Sequence, residues 1–124
     1  MSLHLNTATE GAHNFEVVLS DFGTISRDKG TIIAGQNLVA GSVLGKITAS
    51  GKYTLHDNAA ADGSEVAAAV LLTSVDATAG DKPGLILSRL AEVKTGLLIF
   101  KSGISAPNKA AALAALAAKN IIAR

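Results

Sequence analysis

The sequence predicts an α+β fold that is mainly β, and three observations carry that expectation. Short runs of alternating apolar and polar residues recur from Phe15 to Phe100, each closed by Gly, Asp or Asn. The longest apolar run, Val66 to Val75, has the length and β-branched ends of a buried strand, although its central alanines also suit a helix. Strong helix formers gather once, in the alanine-rich stretch after Pro107. No repeat of fixed period is present. Short strands followed by one late helix form a single small β-rich domain.

The first strand candidate is Phe15–Leu19, with Phe15, Val17 and Leu19 on one side. Asp21-Phe22-Gly23 reads as a turn, and Thr24 to Asp28 alternates again. Lys29-Gly30 interrupts that alternation before Thr31-Ile32-Ile33 resumes it. Pieces this short, split by glycine and charge, bury little on their own. Two architectures fit them equally well: an extended arm over 1–33 that orders against a partner's sheet edge, or an edge hairpin of the same domain. The body then spans 34–124.

Within the body, Val43–Thr48 and Lys52–His56 form a hairpin closed at Ser50-Gly51. Asp57–Glu65 is a polar loop. Ala77–Gly84 is a linker in which Asp81-Lys82-Pro83-Gly84 signals a turn. Leu85–Lys94 and Leu97–Phe100 supply further strands. Ser105 caps a helix over about 107–119, Pro107 is tolerated in its first turn, and Leu113 and Leu116 form a narrow docking stripe. Asn120 suits a left-handed cap, after which Ile121-Ile122 forms a last short strand.

Composition narrows the function classes. The 124 residues carry a net charge of +1 with no basic run, which argues against nucleic acid as a partner. Cysteine is absent, so no disulfide framework or thiolate zinc site is expected. No apolar run reaches the roughly 20 residues that span a bilayer, and the N-terminus lacks the pattern of a signal peptide, so a membrane role is not expected and a cytoplasmic origin is. The chain is 48% hydrophobic but only 3% aromatic, with 12 glycines. Small side chains bury little apolar area each, so association with further copies is expected to add to the core.

Several motifs invite chemistry and fail on spacing. Gly41-Ser42-Val43-Leu44-Gly45-Lys46-Ile47 is one residue too short between its glycines for a phosphate loop, and Ile47 stands where a hydroxyl must hold Mg²⁺. His4, His13 and His56 lack metal-ligand spacing, and Asp57, Asp62 and Glu65 do not match a calcium loop. No catalytic constellation, metal site or cofactor is expected. Lys82 in Gly80-Asp81-Lys82-Pro83 supports one alternative, a lipoyl- or biotin-carrier-like or other ligand-binding β domain, with Pro83 departing from the carrier pattern.

From Arg27 onward, and most specifically from Leu38 to Phe100, the sequence resembles the head decoration proteins of tailed bacteriophages. The likeness lies in the Ala40–Lys46 strand, the Ser50-Gly51-Lys52-Tyr53 turn, Asp57 through Asp62-Gly63-Ser64, the alanine-rich Val66–Val75 run, and Val75 through Asp81. Ile25-Ser26-Arg27-Asp28 matches a short strand that follows the arm in that family, and the alanine-rich helix departs from the family's more polar one.

The resemblance implies a compact barrel-like sheet with one C-terminal helix and an extended N-terminal arm. It further implies a non-enzymatic homotrimer on the outer surface of an expanded icosahedral capsid at three-fold and quasi-three-fold sites. There it would act as a cement protein, stabilising the shell against DNA pressure, with the arm pairing with the major capsid protein. Before assembly it would reside in the host cytoplasm. On this reading Phe15, Val17, Leu19, Ile25 and Arg27 are the expected capsid contacts.

Overall fold

Strands buried on both faces explain the continuous apolar runs. The computed structural model of the protein describes residues 13–124. The strands are β1 (Val18–Asp21), β2 (Arg27–Ile32), β3 (Asn37–Leu38), β4 (Val43–Lys46), β5 (Tyr53–Leu55), β6 (Ala67–Leu71), β7 (Val75–Asp76), β8 (Lys82–Leu87), β9 (Ala91–Val93) and β10 (Ile121–Ala123), with one helix, α1 (Ala106–Ala117). The order β2-β5-β4-β6-β8 closes into a barrel, β1-β9-β10 forms a second sheet, and β3 pairs with β7 as a short ribbon. Closure of the barrel relies on one parallel contact, Ile32 with Tyr53, between β2 and β5.

Period-2 alternation sorts side chains into two cores. Leu44, Ala69, Leu71 and Ile86 join Ile32 inside the barrel. Their neighbours Val43, Val70, Leu72 and Leu87 point the other way and meet Val17, Val93, Ile121 and the helix residues Ala112 and Leu116. The helix thus packs on β6 and β10, as its narrow stripe predicts, with Leu116 fully buried and Leu113 half-buried. Ser105 caps it by accepting the Asn108 N–H at 3.3 Å. Asn120 takes φ +61° where the chain leaves the helix for β10, as expected of a left-handed cap.

Several sequence expectations are corrected. Of the two readings left open for the segment up to residue 33, the pairing within the domain is the one observed for β1 and β2: β1 pairs antiparallel with β9, and β2 runs alongside β8 from Arg27↔Leu87 to Ile32↔Lys82, with a 3-10 turn, Gly23–Ile25, between them. Residues 1–12 of the expected arm, with His4, lie outside the described residues. Lys29-Gly30 does not interrupt β2. Gly30 sits where the Tyr53 ring closes on the backbone, and a Cβ there would lie 2.9 Å from Tyr53 Cδ2.

The expected strand Phe15–Leu19 starts three residues later, because Phe15 adopts φ +66° in a turn. The run Val66–Val75 is split into β6 and β7 by Leu72 to Ser74. Lys82-Pro83 is the start of β8 and not a turn. The reversal comes earlier, where Asp76 Oδ1 accepts the Thr78 N–H at 3.1 Å. Pro83 is accommodated because β6 pairs with β8 only at Val70↔Leu87 and Leu71↔Ile86, leaving the proline end of the strand unpaired on that side. Leu97–Phe100 is a 3-10 turn over Thr95–Leu97 followed by a single bridge from Ile99 to Ser42.

Candidate functional site

The link from β1 to β2 displays apolar side chains on a fixed frame. A 3-10 turn, Gly23–Ile25, lifts Phe22 and Ile25 out of the domain at 70% and 61% exposure. Behind them Ser26 is fully buried; its Oγ accepts the Phe22 N–H at 2.8 Å and donates to the Leu90 carbonyl at 2.8 Å. One hydroxyl therefore ties the turn to the β8–β9 connection. Leu90 is 38% exposed and adopts φ +52°, a conformation that costs energy for a non-glycine residue and persists only where its surroundings impose it. Arg89 adds a second tie, donating from Nη1 to the Ile25 carbonyl at 2.6 Å and from Nη2 to Asp28 at 2.6 Å. The Arg89 bond holds the Asp28 carboxyl below its ordinary value.

On the flank toward the N-terminus, the Arg27 guanidinium lies 5.2 Å from the Phe15 ring centroid and bonds Asp21 at 2.7 Å. The Phe15 N–H donates to the Leu72 carbonyl at 2.8 Å, anchoring the entry of the chain on β6's end. Arg27 with Asp21 and Arg89 with Asp28 are thus matched within the protomer, while the hydrophobic side chains of Phe22 and Ile25 remain uncovered.

The five residues singled out from the sequence part company here. Phe15 and Arg27 are brought together. Ile25 joins Phe22 and the Leu90 backbone through Ser26, and Leu19 is 46% exposed on β1. Val17 is 2% exposed in the second core, so it fixes the surface from beneath and cannot touch a partner directly. Sequence reading passed over Phe22 and Leu90. Phe22 was hidden in an Asp-Phe-Gly turn, although an aromatic ring beside a turn glycine in a chain with 3 phenylalanines was a usable signal. Nothing local marks Leu90, whose exposure depends on a backbone angle.

The residues that invited metal or phosphate readings are occupied locally. Asp62 Oδ1 accepts the Ser64 N–H at 3.0 Å, Glu65 Oε1 accepts the Gly63 N–H at 2.9 Å, and Asp57 pairs with Lys101 at 2.6 Å. His56 is buried, with Nε2 bonded to the Glu65 carbonyl at 3.0 Å, so the ring donates there. Gly45 belongs to β4, and a Cβ on it would collide with the Ser64 backbone, so this glycine serves close packing. Among the described residues no group of three or more His, Cys, Asp or Glu is placed to hold a metal ion. Lys82 lies in the first position of β8, not at a hairpin tip, which removes the geometry of the carrier alternative. Among the described residues no helix is long and apolar enough to cross a membrane.

A closed small barrel that holds an uncovered apolar surface on a strained frame defines the class, a small β-barrel domain with one C-terminal helix. The family model for the bacteriophage lambda head decoration protein D matches residues 7–121, and the chain belongs to that family. No curated protein matches the chain. Membership assigns it a structural role on the phage head.

Proposed function

We propose that the protein is a cement for the phage capsid. Three copies assemble on the outer surface of the expanded icosahedral shell at three-fold and quasi-three-fold positions and stabilise it against the pressure of packaged DNA. The segment ahead of β1 pairs with the major capsid protein, and Phe15, Ile25, Leu19 and Arg27, together with Phe22, complete the contact. The observation that carries this reading is the exposed Phe22–Ile25 turn held rigid by Ser26 beside the point where the chain enters the domain. A preformed apolar face loses little conformational entropy on docking. Three such faces linked in one trimer raise the effective concentration of each, so modest contacts combine into firm attachment. The face, like the net charge of +1, suits a protein surface better than packaged DNA.

The test is removal of residues 1–12. The shortened protein should remain folded and should lose occupancy on purified expanded shells. Full occupancy by the shortened protein would refute a role for the segment in capsid binding.

A further inference from the structure

Arg27 stands at the start of the barrel strand β2, yet its side chain reaches both flanks of β1, an edge strand of the other sheet. Ahead of β1, the Phe15 ring centroid lies 5.2 Å from the guanidinium. At the end of β1, Arg27 Nε donates to Asp21 Oδ2 at 2.7 Å. The second oxygen, Asp21 Oδ1, accepts the N–H of Gly23 at 3.3 Å, and Gly23 opens the 3-10 turn that lifts Phe22 and Ile25. A chain of contacts, Phe15–Arg27–Asp21–Gly23, therefore joins the entry of the polypeptide to the exposed turn.

This chain is unlike the other charged contacts. In the five ion pairs found among the described residues, the Asp21 carboxylate is the least exposed, at 11% against 31% or more for its counterparts. Less solvent screens it, so the bond holds its geometry better than an exposed pair would. Of the three arginines, Arg27 is the one set against an aromatic ring among the described residues. Phe15 itself adopts φ +66°, which its surroundings must impose; its N–H on the Leu72 carbonyl and its ring on Arg27 supply that hold.

The geometry points to Arg27 as a positioning residue that couples two parts of the contact with the shell, the segment entering at Phe15 and the Phe22–Ile25 turn. Fixing either part narrows the motion of the other through Asp21. The conformational entropy of ordering them is then lost once, and the second contact forms on a surface already held in place. The partner rests on the decoration reading, whereas the coupling is a property of the protomer.

The test begins without capsids, on the full chain labelled with ¹⁵N. Phe15→Leu keeps apolar bulk but removes the ring, and it should shift the amides of Gly23 and Ile25. In an Arg27→Gln background the same change should leave those amides in place, and Arg27→Lys, which keeps a cation, should restore the response. Asp21→Asn keeps an acceptor for Gly23 but loses the ion pair, and should silence the response as Arg27→Gln does. No response in wild type, or one that survives either Arg27→Gln or Asp21→Asn, would overturn the proposal. On expanded shells, removal of residues 1–12 and the Phe22→Ser, Ile25→Ser change each lower affinity. Their combined loss should fall about fivefold short of the product of the two, and should equal that product in the Arg27→Gln background. Losses that multiply in full in both backgrounds would also overturn it. If wild type itself fails to bind shells, the decoration reading falls, and the amide responses still decide the coupling.

Discussion

Ser26 shows how one small residue can set a surface. Its side chain is buried, and both of its hydrogen bonds run to backbone groups of different connections, Phe22 N–H and Leu90 C=O. Alanine would fit the space but leave both groups without their partner in a water-poor position. Ser26→Ala should therefore destabilise the domain by about 1–3 kcal/mol in denaturant titration. It should also raise hydrogen exchange at Phe22 and Ile25 relative to the barrel strands. A loss no larger than that of a typical exposed serine would show that the turn holds its shape without the hydroxyl. Leu90 belongs to the same device. Its left-handed backbone is sustained because Arg89 is fixed to Ile25 and Asp28 on one side and the Leu90 carbonyl is held by Ser26 on the other.

Elements were legible in the sequence where local chemistry decided them. The helix could be read from Ser105, Pro107 and a run of alanines, and Asn120 marked its exit. Removing the cap by Ser105→Ala should cost about 1 kcal/mol, measured against wild type in the same denaturant titration; no change would mean that packing of Leu116 alone sets the helix start. The β4–β5 hairpin was legible for similar reasons, since Ser50-Gly51 sits between two alternating runs that pair as Leu44↔Leu55 and Lys46↔Tyr53. Strand β2 was not, because Gly30 looks like a breaker along the chain and is a contact point for Tyr53 across it. The start of strand β8 was missed for a related reason. Lys82-Pro83-Gly84 reads as a turn locally, whereas pairing with Thr31 and Gly30 makes it extended. Of the candidate contact face, Phe15, Leu19, Ile25 and Arg27 were marked by pattern and resemblance. Val17 carries the same pattern but faces the core, since one strand residue's side depends on where the strand starts.

At the scale of the molecule, two cores share the barrel wall, and the periphery is laced by carboxylates. Asp28, Asp57, Asp62, Asp76, Asp81 and Glu92 are all held below their ordinary values, chiefly by side-chain bonds to Arg89, Lys101, Ser64, Thr78, Lys52 and Arg124 respectively. With folded values depressed, the unfolded chain takes up protons first, so their contribution is present above the ordinary range of 3.8 to 4.5 and is lost as pH falls through the lower folded values. The thermal midpoint should thus hold steady near neutrality and drop below about pH 4, a fall that calorimetry across pH would detect. Burial raises the Tyr53 hydroxyl, so the stability it brings is present below its ordinary value of 10.0 and is lost as pH rises past it.

Assembly is the remaining question at this scale, and the exposed face allows it to be separated from capsid binding. Phe22 and Ile25 are 70% and 61% exposed, so replacing both with serine should alter monomer stability by less than about 0.5 kcal/mol. If the face meets the shell, the Phe22→Ser, Ile25→Ser variant should lose occupancy on expanded capsids. In light scattering it should keep the same mass as wild type, three times the 12.5 kDa protomer. A variant that drops to one protomer while wild type stays trimeric would move the face to the contact between copies. Full occupancy with an unchanged mass would remove it from both interfaces and leave the segment ahead of β1 as the attachment. The two measurements together discriminate because a trimer contact and a shell contact remove different things. Loss of the first abolishes the gain in effective concentration that linkage gives every contact, whereas loss of the second leaves the mass unchanged and weakens only the bond to the shell.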